Sequence, residues 1–191
     1  MRLVIVDGLD AVGKDTHGKL IAKYYKNNGE SVIIRSHPAK DNYFGRKAKE
    51  ALFQKGKSGK IKASIFFMFD VLRSIRIYYK PKQKGTLIMV RYLIGTAYLP
   101  KRLVKFGYNF FKNFVPTSKY MFYLDASTEE LMKRLKRRNE IEIFETNEAI
   151  DNVRSKASLL LDDWIVIDSE RSIDETFHEI IKNIEHIEKE I

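Results

Sequence analysis

Gly8-Leu9-Asp10-Ala11-Val12-Gly13-Lys14-Asp15-Thr16 is the stretch that decides how this chain folds. It sets a Gly, four residues and then Gly-Lys between the branched apolar run Leu3-Val4-Ile5-Val6 and a segment carrying Leu20, Ile21, Tyr24 and Tyr25 at helical spacing. A strand buried on both faces, a glycine loop and a helix are the context a phosphate loop requires. The glycines let the backbone amides of Gly8, Ala11, Val12 and Gly13 and the helix amino terminus turn toward one anion, while Lys14 reaches its outer oxygens. The residue after such a Lys should be a hydroxyl that binds Mg²⁺. Here it is Asp15, with Thr16 one place later, so either the Asp15 carboxylate or the Thr16 hydroxyl takes the metal.

Outward from this loop the alternation repeats. Strands are expected at residues 31–35, 86–90, 120–124 and 164–168, and helices at 13–27, 45–53, 61–79, 128–138, 146–161 and from 173 to the end. Five buried strands separated by helices give an α/β fold, a doubly wound five-stranded parallel sheet flanked by helices. Ser127 or Thr128 with Glu130, and Ser172 with Glu175, are expected helix caps. Residues 55–62, rich in Lys and Gly, read as a mobile loop. The chain of 191 residues suffices for a single α/β domain, 1–191, and is short for two.

The chain has no Cys, which excludes disulfides and thiolate metal sites and fits a reducing compartment. No signal-peptide pattern opens it, and residues 63–72, its longest apolar stretch, fall well short of a membrane span. A cytoplasmic location is expected. Thirty-five basic against 25 acidic residues, a net charge of +10, imply an anionic partner. Nucleotide, nucleic acid and a membrane surface all satisfy that; nucleic acid is not favoured, since no recognised module accompanies the charge.

Residues 6–10 and 13–16 together resemble the opening of thymidylate kinases, and later segments resemble that family in the same order. Residues 35–45, with Pro38, are similar to its monophosphate-gripping loop, with Lys40 where an Arg is usual. Residues 66–73 look like its base-reading helix. Val90-Arg91-Tyr92 resembles its Asp-Arg-aromatic motif. Leu124-Asp125, the basic run 133–138 and residues 140–145 resemble its last strand–helix unit and lid, the lid lying near 134–147. The resemblance implies the P-loop NTPase fold, ATP and Mg²⁺ as cofactors, nucleotide substrates and a homodimer. It also implies roles. Lys14 and the loop backbone bind ATP phosphates, Asp10 contacts the acceptor sugar, Lys40 and Arg91 hold the acceptor phosphate, and Phe67 stacks on the base. Lid arginines cover the transferred group, with Arg134, Arg137 and Arg138 as the candidates and Arg134 also on ATP, and Arg73 and Tyr98 line the acceptor site. Lys14, Arg91, Asp10 and Arg138 form the catalytic set, and Asp15 and Thr16 the metal ligands. Arg suits a monophosphate because its fork binds two oxygens at once.

The departures matter as much. Val90 replaces the family's Asp beside the metal and acceptor phosphate, Val71 stands where its base-reading Arg is expected, and Ile143 stands near a lid position usually held by Arg. ATP-dependent phosphorylation of a nucleoside monophosphate, with dTMP the leading acceptor, is therefore the expected activity. A kinase for another monophosphate or a nucleoside is one alternative. A nucleotide- or nucleic-acid-binding protein that kept the loop but lost catalysis is another. Phe66, Phe67 and Phe69 read more easily as core residues than as a base platform. His17, His37, His178 and His186 lack metal-ligand spacing. Residues 101–114 interleave basic residues with Phe106, Phe110, Phe111 and Phe114, a pattern expected of a helix packed on the core or on a partner, with contact to a membrane surface or nucleic acid as the alternative.

Overall fold

The computed structural model describes residues 1–54, 57–137 and 146–190. Its sheet has five strands, β1 (Arg2–Gly8), β2 (Val32–Ser36), β3 (Thr86–Val90), β4 (Tyr120–Asp125) and β5 (Ile165–Asp168), in the order β2-β3-β1-β4-β5. All four pairings are parallel, and the helices provide the crossovers that parallel strands need. β1, β3 and β4 are apolar without alternation, because both their faces are covered. β2 and β5 depart from the expected full burial: they are the edge strands, and Ile34 and Val166 are exposed. The helices are α1 (Lys14–Asn27), α2 (Tyr43–Leu52), α3 (Lys57–Tyr78), α4 (Val104–Lys112), α5 (Thr128–Arg137), α6 (Asn147–Ala157) and α7 (Ile173–Lys189).

Both expected caps form. Ser127 Oγ accepts from the Glu130 amide at 3.3 Å, and Ser172 and Glu175 make a reciprocal capping box at the start of α7. The expected mobile loop at 55–62 does not hold over its described part. α3 begins at Lys57, and a Cβ on Gly59 would stand 2.4 Å from the Gln54 carbonyl oxygen. α3 packs along α2, and that packing overrides the weak local propensity of a Lys/Gly-rich stretch. The helix expected over 146–161 ends at Ala157 and tightens to a 3₁₀ turn, Ser158–Leu160.

Of the four Phe residues in 101–114 only Phe111 is buried. Val104 and Tyr108 share its face, while Phe106, Phe110 and Phe114 lie outside in ring contact with one another. Among the described residues no helix is long and apolar enough to cross a membrane.

The register fixes the site. Val6 pairs with Val90 and Ser36 with Val90, so the residues that follow (Asp7, Arg91, His37) leave three neighbouring strands at one end of the sheet. Gly8 pairs with Leu124 on the other side. β1 is central, with connections reversing around it, and ligands of such sheets bind in the crevice beyond the carboxyl ends.

Candidate active site

The loop after β1 turns back on itself by left-handed backbone at Ala11 (φ 63°) and Gly13 (φ 96°), with Gly8 at φ 142°. Gly8 is required twice over, since a Cβ there would also strike the Leu124 carbonyl oxygen at 2.4 Å. Alternation of backbone hand is what makes a concave nest of amides. Gly13, the N-cap of α1, has no side chain with which to cap the first turn, so the positive end of the helix faces the nest. The Ala11 and Val12 side chains are buried, leaving these residues to act through their backbone.

Asp7 holds the loop to the strand beside it. Its buried carboxylate accepts from the amides of Gly8 (2.9 Å), Tyr92 (2.7 Å) and Ile94 (3.0 Å). Burial pushes its pKa up, against those donors and Lys14. One side chain thereby closes both the phosphate loop and the turn after β3. At that turn Arg91 adopts φ 59°, a left-handed conformation that costs a non-glycine residue about 1–3 kcal/mol and gathers at functional sites. Its amide donates to the Val6 carbonyl at 3.1 Å. His37 secures its carbonyl: Nδ1 lies 3.1 Å from Arg91 O and Nε2 2.9 Å from Ser74 Oγ. A carbonyl only accepts, so Nδ1 carries the proton and Nε2 accepts from the serine. Burial keeps this histidine neutral by lowering its pKa.

Around the Arg91 guanidinium lie Lys14, Asp10, Asp15, Tyr98 and Ser36. Nη1 donates to Asp15 Oδ2 at 2.9 Å and to Ser36 Oγ at 3.1 Å, and Nη2 lies 3.7 Å from Asp10 Oδ1. Ser36 Oγ donates to Asp15 Oδ1 at 2.7 Å, and Tyr98 OH to Asp10 Oδ2 at 3.1 Å. Lys14 is buried, donates to the Leu9 carbonyl and lies 3.5 Å from Asp10 Oδ1. Burial and then the charge of Arg91 lower its pKa to about 8, against the pull of Asp10, Asp7 and Asp15. Burial opposes ionisation of Asp10 and Asp15, but both side chains are about half exposed, 51% and 48%. The cations and hydroxyls around them hold both below the usual carboxylate range.

The donor set at the start of α1 fits a Mg²⁺ carried in on a nucleotide. That ion is usually held by one or two carboxylates together with substrate phosphates, and Asp15 offers a half-exposed carboxylate next to Ser36 while Thr16 is exposed.

The other expected residues are more dispersed. Arg134, on α5, is held by Glu130 at 2.8 Å and the Ser169 carbonyl at 2.7 Å, near enough to α1 that its charge, after burial, lowers the pKa of His17. Pro38 follows His37 through a cis peptide bond. Lys40 is exposed, and no described hydrogen bond or ion pair ties it to the Arg91 cluster. Phe67 is half-buried, edge-on to His37 at 6.2 Å and close over Gly95, whereas Phe69 is exposed. Val71 is fully buried in the core, and Arg73 keeps a buried Nη1 with no hydrogen-bond partner. Arg138, Ile143 and most of the expected lid lie outside the described residues. Asp125, at the end of β4, accepts both arms of Arg154 from α6 at 2.9 and 2.7 Å.

Asp7, Ser36 and His37 carry much of this geometry and were not singled out from sequence. The available signals were a carboxylate ending an apolar strand just before Gly8, and polar residues ending the strand before Pro38.

The sequence profile of the family described as Thymidylate kinase matches residues 6–180. The chain belongs to the thymidylate kinase family. Two thymidylate kinase relatives span nearly the whole chain. One is the "Thymidylate kinase" of Thermosipho africanus (strain TCF52B), 27% identical over 199 residues, covering 95% of this chain and 96% of its own. The other is the "Probable thymidylate kinase" of Thermococcus kodakarensis, 24% identical over 198 residues, covering 95% and 96%. The solved structure of thymidylate kinase from Candida albicans superposes with a TM-score of 0.77 at 17% identity, covering 98% of this chain and 92% of that one, a likeness of fold.

Proposed function

We propose that this chain transfers the γ-phosphoryl group of ATP to the phosphate of thymidine monophosphate. The observation that carries the reading is the opening of a phosphate loop directly onto Arg91, with Lys14 on one flank and Asp10 and Asp15 beside it. Phosphoryl transfer asks a protein for positioning and charge neutralisation rather than covalent chemistry, and this cluster offers both.

In this reading the loop amides from Gly8 to Gly13 and Lys14 hold the ATP phosphates, with Arg134 over them, and Asp15 and Thr16 hold Mg²⁺. Bound there, the metal neutralises charge between the outer phosphates. Arg91 grips the acceptor phosphate, and its left-handed backbone, braced by Asp7 and His37, aims the guanidinium at the loop. Asp10, oriented by Tyr98, meets the sugar. Phe67 and the unpartnered Nη1 of Arg73 take the base in place of the arginine lost at Val71. Pro38 and Lys40 line the approach, and Arg138 belongs to the lid. A homodimer is supported by the exposed apolar residues of α2 and α3: Tyr43, Ile61, Ile65, Phe69 and Ile77. The cytoplasm is the compartment that suits such an enzyme.

The test is ADP release from ATP and Mg²⁺ by the purified chain with each common nucleoside monophosphate. The expected result is the highest kcat/KM with dTMP. Turnover with no acceptor would remove the phosphotransferase assignment, and a better acceptor than dTMP would reassign the substrate.

A further inference from the structure

Where the family resemblance places an Asp at the end of β3, this chain has Val90. It is fully buried, with a methyl 2.7 Å from where a Cβ on Gly18 would stand. α1 approaches β3 so closely there that a carboxylate at 90 would sit against Gly18, Ile34 and Ile88 without water. Asp15 stands one turn before Gly18 on the same face of α1, so its carboxylate emerges just beyond the end of β3. The negative charge missing from the strand is supplied from the helix.

In that place Asp15 accepts from Arg91 Nη1 at 2.9 Å and from Ser36 Oγ at 2.7 Å, while Asp10 flanks Nη2 at 3.7 Å. The cation that the proposed reaction needs for the acceptor phosphate is thus engaged by two carboxylates. Asp15 also follows Lys14 directly, the position from which phosphate loops reach their metal. Its side chain is half in water, where ion pairs are weak and exchangeable.

We propose that Asp15 is a positioning residue with two alternative partners: it holds the Arg91 guanidinium as seen here, and it turns to the Mg²⁺ that accompanies ATP, releasing Arg91 to the acceptor phosphate. The proposal rests on the thymidylate kinase reading of the site. It makes acceptor binding depend on prior arrival of the metal–nucleotide, and it assigns to one residue the tasks of the missing hydroxyl and the missing strand carboxylate.

Calorimetric titration of dTMP, with and without Mn²⁺·ADP, tests it in wild type, Asp15→Asn, Arg91→Gln and the double variant, with thermal melting to confirm folding. Asp15→Asn should bind dTMP about fivefold tighter than wild type when no metal is present, the most an exposed ion pair opposes. In the Arg91→Gln background, titrated into the millimolar range, the same substitution should change dTMP affinity little. Mn²⁺ affinity for the protein·ADP complex, read by electron paramagnetic resonance, should fall in Asp15→Asn by at least the tenfold that loss of even an outer-sphere partner costs a metal. An equal gain in dTMP affinity with and without Arg91 would reduce Asp15 to simple repulsion and overturn the proposal, as would unchanged Mn²⁺ affinity. If wild type binds no dTMP in either condition, the thymidylate reading itself fails.

Discussion

Replacing Lys14 by Met should stabilise the protein below pH 8 in the absence of nucleotide and abolish its stabilisation by ATP. Lys14 is 3% exposed, and burial beside Arg91 lowers its pKa from 10.5 to about 8. A fall of that size corresponds to about 3 kcal/mol of strain on keeping the ammonium charged in the fold. The sign follows from proton counting. Between pH 8 and 10.5 the unfolded chain holds a proton on Lys14 that the folded chain has lost, so stability attributable to this residue rises with pH through that window. Below pH 8 both forms hold it, and the full cost remains. The Met variant lacks the group, so the difference in unfolding free energy, variant minus wild type, should be near 3 kcal/mol at pH 7 and shrink toward zero by pH 10.5. That is a melting-temperature gain of about 6–12 °C for a chain of this size. Taking the difference cancels the titration of residues that are not coupled to Lys14, which leaves out Asp7, Asp10 and Asp15. ATP at a hundred times its dissociation constant should raise wild-type stability by about 2.7 kcal/mol and leave the variant unmoved. Urea denaturation and thermal melting across pH 6–10.5 measure both. A pH-independent difference, or a Met variant less stable than wild type at pH 7, would show that Lys14 is not strained and that its burial is compensated by the Leu9 carbonyl and Asp10.

Two further outcomes follow from named contacts. Asp7→Asn should destabilise the fold by about 2–4 kcal/mol in urea denaturation, because an amide presents a single acceptor oxygen and its own N–H groups to three backbone donors; a loss under 0.5 kcal/mol would contradict its role in closing both turns. Tyr98→Phe removes the donor that orients Asp10 and should raise KM for dTMP up to about tenfold with little change in KM for ATP, since one hydrogen bond contributes roughly 0.5–1.5 kcal/mol; steady-state kinetics with each substrate varied would show it, and an equal change in both constants would argue against a role confined to the acceptor.

The phosphate loop was legible because its spacing is local: glycines at 8 and 13, Lys14 and the flanking strand and helix all lie between Arg2 and Asn27. So was the sheet, since the short apolar runs at 86–90 and 120–124, too brief for helices and alternating with longer helical stretches, read as strands buried on both faces. What escaped depends on register. That Ser36, Arg91 and Asp7 converge follows only once β2, β3 and β1 are paired with Val6, Val90 and Ser36 abreast, and nothing local announces that alignment. The role of Asp7 is not legible locally, because two of its three amide donors come from 85 and 87 residues away. The start of α3 was missed because its Lys/Gly-rich turn is helical through packing on α2. Exposure of β2 and β5 reflects their place at the sheet's edges, which composition does not reveal.

The hub at Asp7 has a mechanical consequence. A single carboxylate ties the glycine loop to the turn that carries Arg91, so the two places proposed for donor and acceptor phosphate share one tether. In the proposed reaction, donor and acceptor phosphates would meet over a floor that moves as one piece.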